Sequence, residues 1–135
     1  MIVMDANAAL AIAMGTDTGE ALSLLQCAEE EVIAPSLINA EVAHALTKYI
    51  RGNHIPSDEA IACGRDALAI VDRFVDDSSL WIEATTEAIR LDHSSYDMFY
   101  LLLARREGAT LFTLDRRLQS LCESHGVNCV SFIDF

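Results

Sequence analysis

The residues of this chain best suited to chemistry are four acids: Asp5, Glu41, Asp97 and Asp115. Asp5, Asp97 and Asp115 each stand just before a helix-like segment, and Glu41 lies among apolar residues inside another. A carboxylate placed where the chain would otherwise bury hydrocarbon costs several kcal/mol unless a positive charge meets it. No Lys or Arg is spaced to neutralise all four. A divalent cation would. Oxygen donors without accompanying Cys or His suit hard ions such as Mg²⁺ or Mn²⁺ and argue against zinc. Such a set fits metal-assisted phosphoryl chemistry, where water is acidified and the charge growing on phosphate is offset.

Each Asp taken singly has another use, because Asp is a preferred helix N-cap. Their joint placement depends on the elements around them. Apolar triplets near 2–4, 32–34 and 110–113 read as short buried strands, as does 128–131. Helical spacing covers residues 6–14, stopped by Gly15, and 16–28. Ser36 is the expected N-cap of a helix running to Arg51, with Gly52 just past its end. Pro56 and Ser57 open a further helix, whose apolar stripe continues through Phe74 and Val75. A short strand is expected at 79–82, a helix at 83–91 and a loop at 93–96. Residues 97–107 form a helix apolar nearly all round, hence central, and 116–124 form the last helix.

Short apolar strands alternating with helices predict an α/β fold with a mainly parallel sheet covered on both faces. In such a sheet the strand C-termini and helix N-termini share one edge, where open α/β sheets place their sites. Asp5, Asp97 and Asp115 would crowd that edge, and helix dipoles there tolerate negative charge. Glu41 has Leu37, Ile38 and Ala45 as neighbours at helical spacing, so it borders a face that should be buried.

The length of 135 residues suits one domain over residues 1–135, and 52% hydrophobic content excludes disorder. The net charge of −12 excludes general attraction to nucleic acid. Residues 97–135 are nearly balanced, with four Arg against five acids, so the acidity lies in the rest. No apolar run is long enough for a membrane span, and no basic segment precedes a long apolar stretch. A cytoplasmic location without an export signal is the expectation. Cys27, Cys63, Cys122 and Cys129 show no C-x-x-C spacing and are expected to be reduced, mostly buried thiols.

Three segments together carry a resemblance: IVMDAN at the start, APSLINAEVAHAL, and YDMFYLLLARREGATLFTLDRRL leading to GVNCVSF. The chain resembles PIN-domain ribonucleases over nearly its whole length, particularly VapC-like toxins of toxin–antitoxin pairs. The segment from Tyr96 to Leu118 is the most specific part. The resemblance implies a three-layer α/β/α sandwich (PIN-like) and an endoribonuclease dependent on one or two Mg²⁺ or Mn²⁺ ions. It implies RNA as substrate, a cognate antitoxin protein as partner, a homodimer, and products with a 5′-phosphate and a 3′-hydroxyl. The family's acidic ligands carry over to Asp5, Glu41, Asp97 and Asp115, and its hydroxyl before the last acid to Thr113. Position 6 is Ala where many relatives have Ser or Thr.

Arg116 and Arg117 open a helix, where the dipole disfavours cations, and that misfit marks them as RNA-contact candidates. Arg105 and Arg106 sit at a helix C-terminus, where cations are favourable. His93 lies nearest the acids and is assigned to a surface loop. Two alternatives remain: a catalytically inactive PIN-like module that only binds proteins, and a receiver-type signalling domain. The latter needs adjacent acids after the first strand and a late Lys, yet Ala6-Asn7 follow Asp5 and no Lys follows Lys48.

Overall fold

Strands that are apolar on both faces must be covered on both faces. In the computed structural model, which describes residues 1–26, 29–52 and 55–130, strands β1 (Ile2–Met4) and β2 (Val32–Pro35) are buried throughout. Strand β4 (Thr110–Phe112) buries Leu111 and Phe112. The remaining strand, β3 (Arg73–Val75), is largely exposed, as befits an edge. The sheet order is β3-β2-β1-β4, and every pairing is parallel. Ile2 stands opposite both Val32 and Thr110, so β1 is central.

Helices α1 (Ala6–Met14), α2 (Asp17–Leu25), α3 (Ile38–Arg51) and α4 (Ser57–Ala69) pack on one another. Helices α5 (Trp81–Leu91), α6 (Ser95–Glu107) and α7 (Arg116–Ser124) form a separate group, with α6 against β1, β2 and β4. The connections explain the division. Steps from β1 to β2 to β3 run one way across the sheet, and the connection to β4 returns. Right-handed crossovers therefore put the two groups on opposite faces. The result is a three-layer α/β/α sandwich around a parallel sheet. Its order differs from the 2-1-3-4-5 order of flavodoxin-like sheets, which removes the receiver-type alternative. Among the described residues no helix is long and apolar enough to cross a membrane.

Helix α6 is the central element its composition predicts. Met98, Tyr100, Leu101, Leu102, Leu103 and Ala104 are all buried. Several boundaries differ from expectation. The helix opened at Ser57 ends at Ala69, and Arg73–Val75 is a strand. Asp72 causes this, because its carboxylate accepts the Val32 N–H at 2.8 Å and its own N–H reaches the Val32 carbonyl. The expected strand at 79–82 is instead a 3-10 turn at Asp77–Ser79 leading into α5, with Asp76 accepting the Ser78 N–H. Ser36 does not cap α3; its hydroxyl donates to the Val75 carbonyl, and Asp77 takes the Leu37 N–H at 3.0 Å. Helix α6 starts at Ser95, so the loop expected at 93–96 is shorter and Asp97 lies in the first turn. In place of a strand at 128–131, Cys129 makes a single parallel bridge to Leu111. Ser131, Cys27, Ala28 and His54 lie outside the described residues.

The α1–α2 corner is tight. A Cβ on Gly19 would run into the Ala11 carbonyl oxygen, whereas one on Gly64 would crowd the Leu46 Cδ1 methyl at 2.6 Å and touch Val42 Cγ1 at an ordinary 3.6 Å. Backbone cannot turn aside as a side-chain methyl can. Gly19→Ala is expected to destabilise the protein by about 1–3 kcal/mol, and Gly64→Ala by less. Urea unfolding midpoints check this, and an unchanged midpoint for Gly19→Ala would contradict the close approach.

Candidate active site

The sheet reverses its winding between β1 and β4, and the crevice beyond their carboxyl ends is where α/β sheets hold ligands. Asp5 leaves β1 at that point, and its N–H donates to the Phe112 carbonyl of β4 at 3.1 Å. It is the N-cap of α1, with its carboxylate accepting the Ala8 N–H at 2.8 Å. The Thr113 hydroxyl, fully buried, also bonds to the Asp5 carboxylate and accepts the Asp115 N–H at 3.1 Å. Burial pushes the Asp5 carboxyl up to about 7. Thr113 and Ala8 pull it down, and Glu41 and Asp97 push it further up.

Glu41 projects from the first turn of α3, half-buried. The Tyr100 hydroxyl of α6 donates to its Oε1 at 2.6 Å, which links the two helical layers. Burial raises the Glu41 carboxyl, the Tyr100 bond opposes that, and Asp97 and Asp77 add repulsion. The phenol of Tyr100 is itself raised, first by burial and then by Glu41, so it stays a donor. Asp97 is raised by burial and by Asp115, against the opposing effects of His93 and Arg117. His93 Nε2 lies 2.7 Å from Asp97 Oδ2.

The structure thus brings Asp5, Glu41 and Asp97 into mutual electrostatic contact, with Thr113 beside Asp5. Asp115 is more peripheral. It is exposed, it caps α7 by accepting the Arg117 and Leu118 N–H groups, and it acts on Asp97 alone among the other three. Helix capping therefore describes Asp5 and Asp115 correctly without describing all they do. Arg117 donates to the carbonyl of Asp92 at 2.9 Å, so it braces the α5–α6 loop as well as lowering Asp97. Asp92 sits at φ 50°, and an Asp tolerates that left-handed conformation. Arg116 is exposed at the start of α7. Arg105 and Arg106 pair with Glu83 and Glu87 of α5 rather than standing alone at a helix end.

Sequence reasoning missed two residues here. His93 is no surface-loop residue: its side chain is 3% exposed, and its Nδ1 has no hydrogen-bond partner among the described residues. The four-residue spacing from His93 to Asp97 was the available signal. Tyr100 read only as one more apolar residue of α6, though it falls one helical turn after Asp97.

A hard divalent ion fits the chemistry of this donor set. The donors are oxygens, and three of the carboxyls are raised by burial and by neighbouring carboxylates. Among the described residues no group of three or more His, Cys, Asp or Glu side chains is arranged to hold a metal ion. Mg²⁺, which keeps several waters and takes only one or two carboxylates, is the kind of ion that needs no such group.

The raised Asp5 has a consequence for stability. In the unfolded chain its carboxyl returns to an ordinary 3.8, so between about pH 4 and 7 the folded state holds the extra proton. Folding stability of the metal-free protein should therefore fall as pH rises through that window, by a few kcal/mol. Asp5→Asn should flatten the slope. Urea melts from pH 4 to 8 measure both, and a wild-type slope equal to that of Asp5→Asn would refute the assignment.

A family model described as "PIN domain" matches residues 2–124. Two solved structures share the fold. PAE2754 from Pyrobaculum aerophilum is 24% identical, with 88% of this chain and 84% of that one covered, at a TM-score of 0.71. A chain of VapBC2 from Rickettsia felis, solved bound to a DNA fragment from their promoter, is 17% identical. There 98% of this chain and all of that one are covered, at a TM-score of 0.68. No curated protein matches the chain significantly.

Proposed function

This chain belongs to the PIN domain family, and we propose that it is a divalent-metal-dependent endoribonuclease acting as the toxin of a toxin–antitoxin pair. The observation that carries the reading is the trio Asp5, Glu41 and Asp97. They are buried or half-buried acids at the carboxyl edge of the sheet that repel one another, and among the described residues His93 and Arg117 temper one of them, Asp97.

Asp5, Glu41, Asp97 and Asp115 would hold one or two Mg²⁺ or Mn²⁺ ions. A bound ion supplies positive charge to the phosphate and lowers the pKa of water. The rest falls to the protein. Thr113 and the Ala8 N–H fix the Asp5 carboxylate, Tyr100 fixes Glu41, and His93 fixes Asp97. Each bond removes a rotamer the acid would otherwise sample, so the carboxylates meet the substrate already oriented. Arg116 and Arg117, beside Asp115, are the candidate contacts for RNA phosphates.

The resemblance to VapC-like toxins, and the fold shared with a chain of VapBC2, support an antitoxin partner. A net charge of −12 suits a partner bearing Arg or Lys, whose tail would meet the acidic basin. A homodimer and a cytoplasmic location complete the proposal. That no three His, Cys, Asp or Glu side chains are arranged to hold a metal ion among the described residues favours one rival: an inactive PIN-like module that only binds proteins.

Cleavage of total RNA with and without Mn²⁺, with end mapping, separates the two. The nuclease reading expects Mn²⁺-dependent cuts leaving 5′-phosphates. Asp5→Asn and Asp97→Asn should each lower the rate by roughly 100-fold or more while circular dichroism stays native. Wild-type rates from a folded Asp97→Asn protein would sink the assignment.

A further inference from the structure

A groove of about 660 Å³ opens beside Glu41, between the start of α1, one face of α3 and Tyr96. Glu41, His44 and Lys48 follow one another along that face of α3, as i, i+3 and i+7 positions do. Lys48 therefore stands about 10 Å along the helix axis from Glu41. It lies too far to serve the acids and suitably placed to meet something that continues past them. His44, Lys48 and Tyr96 are all exposed, with Tyr96 at 58%. Tyr96 lines the groove together with Glu41, and it immediately precedes Asp97 in the first turn of α6.

Lys48 is the one Lys or Arg among the residues that line the groove. Arg73, Arg90, Arg105 and Arg106 are each paired with a glutamate. Among the described residues no carboxylate pairs with Lys48. A cation left facing a groove, on a chain of net charge −12, suits an anionic ligand. Aromatic faces beside a cationic track are what single-stranded nucleic acid binds without needing a particular sequence.

We propose that this groove is a subsite for single-stranded RNA flanking the phosphate that is cut. Tyr96 stacks a base next to Asp97, and Lys48 with His44 meets a neighbouring phosphate. The proposal rests on the nuclease reading of the acids. A basic protein segment fits the groove less well, because its cations would lie against Lys48.

The test is fluorescence anisotropy with a short fluorescein-labelled single-stranded oligoribonucleotide, in an Asp5→Asn background and over a salt series. Tyr96→Ala should weaken binding roughly tenfold, and Tyr96→Phe should restore it. Lys48→Gln should weaken binding and reduce the slope of log affinity against log salt by about 0.7. Both side chains are exposed, so the variants should fold. Unchanged affinity in Tyr96→Ala, with an unchanged salt slope in Lys48→Gln, overturns the proposal. So does an Arg-rich peptide that binds the groove and gains affinity from Lys48→Gln while RNA binding stays constant. The nuclease reading fails separately, when wild-type protein with Mn²⁺ leaves RNA uncut.

Discussion

The hydrogen bond from the Asp5 N–H to the Phe112 carbonyl closes the β1–β4 seam at the point where the sheet reverses direction. The candidate site is arranged around the end of that seam. Continuing β1 past Met4 places Asp5 in a buried position, where a carboxylate loses most of its hydration. Continuing β4 past Phe112 brings Thr113 and then Asp115 alongside. The seam therefore delivers two acids and a hydroxyl by backbone register alone. The helices need only bring the others.

Those others come from opposite layers. Helix α3 contributes Glu41 from one face of the sheet, and α6 contributes Asp97 and Tyr100 from the other. The Tyr100–Glu41 bond at 2.6 Å spans the two layers. A bond to a charged acceptor contributes roughly 1.5–3 kcal/mol, less than the desolvation of a buried carboxylate. The hydrogen bonds to Asp5, Glu41 and Asp97 thus soften the cost of burial without cancelling it. That residue of unfavourable energy is visible as carboxyls raised above their ordinary range, and it makes the basin receptive to cations.

Most of the architecture was legible because it follows from apolar periodicity. Strands β1, β2 and β4 and the all-round apolar α6 announce themselves. Strand β3 did not, since Phe74 and Val75 continue the stripe of the preceding helix. What ends that helix early is Asp72 pairing with Val32, forty residues away in sequence, which no local pattern contains. Ser36 misled for the same reason: its hydroxyl is drawn to Val75 and the capping role passes to Asp77. Asp5 and Asp115 stand after strands, where the alternating pattern puts them, while Asp97 and Glu41 lie in the first turns of α6 and α3. The role of Tyr100 was not legible, because its partner Glu41 is met only when α3 and α6 face each other, whereas the local pairing of His93 with Asp97 was there to be read.

The central place of β1 also bears on how the molecule comes into being. Ile2 pairs with Val32 on one side and Thr110 on the other, so the middle of the sheet waits for nearly the last strand. Contacts so distant in sequence form late, after long loops have closed. A chain emerging from synthesis presents Asp5 first and Thr113 and Asp115 last. Until β4 docks, Asp5 has neither its Thr113 bond nor the Phe112 carbonyl for its N–H. The acidic cluster is thereby assembled only with completion of the fold.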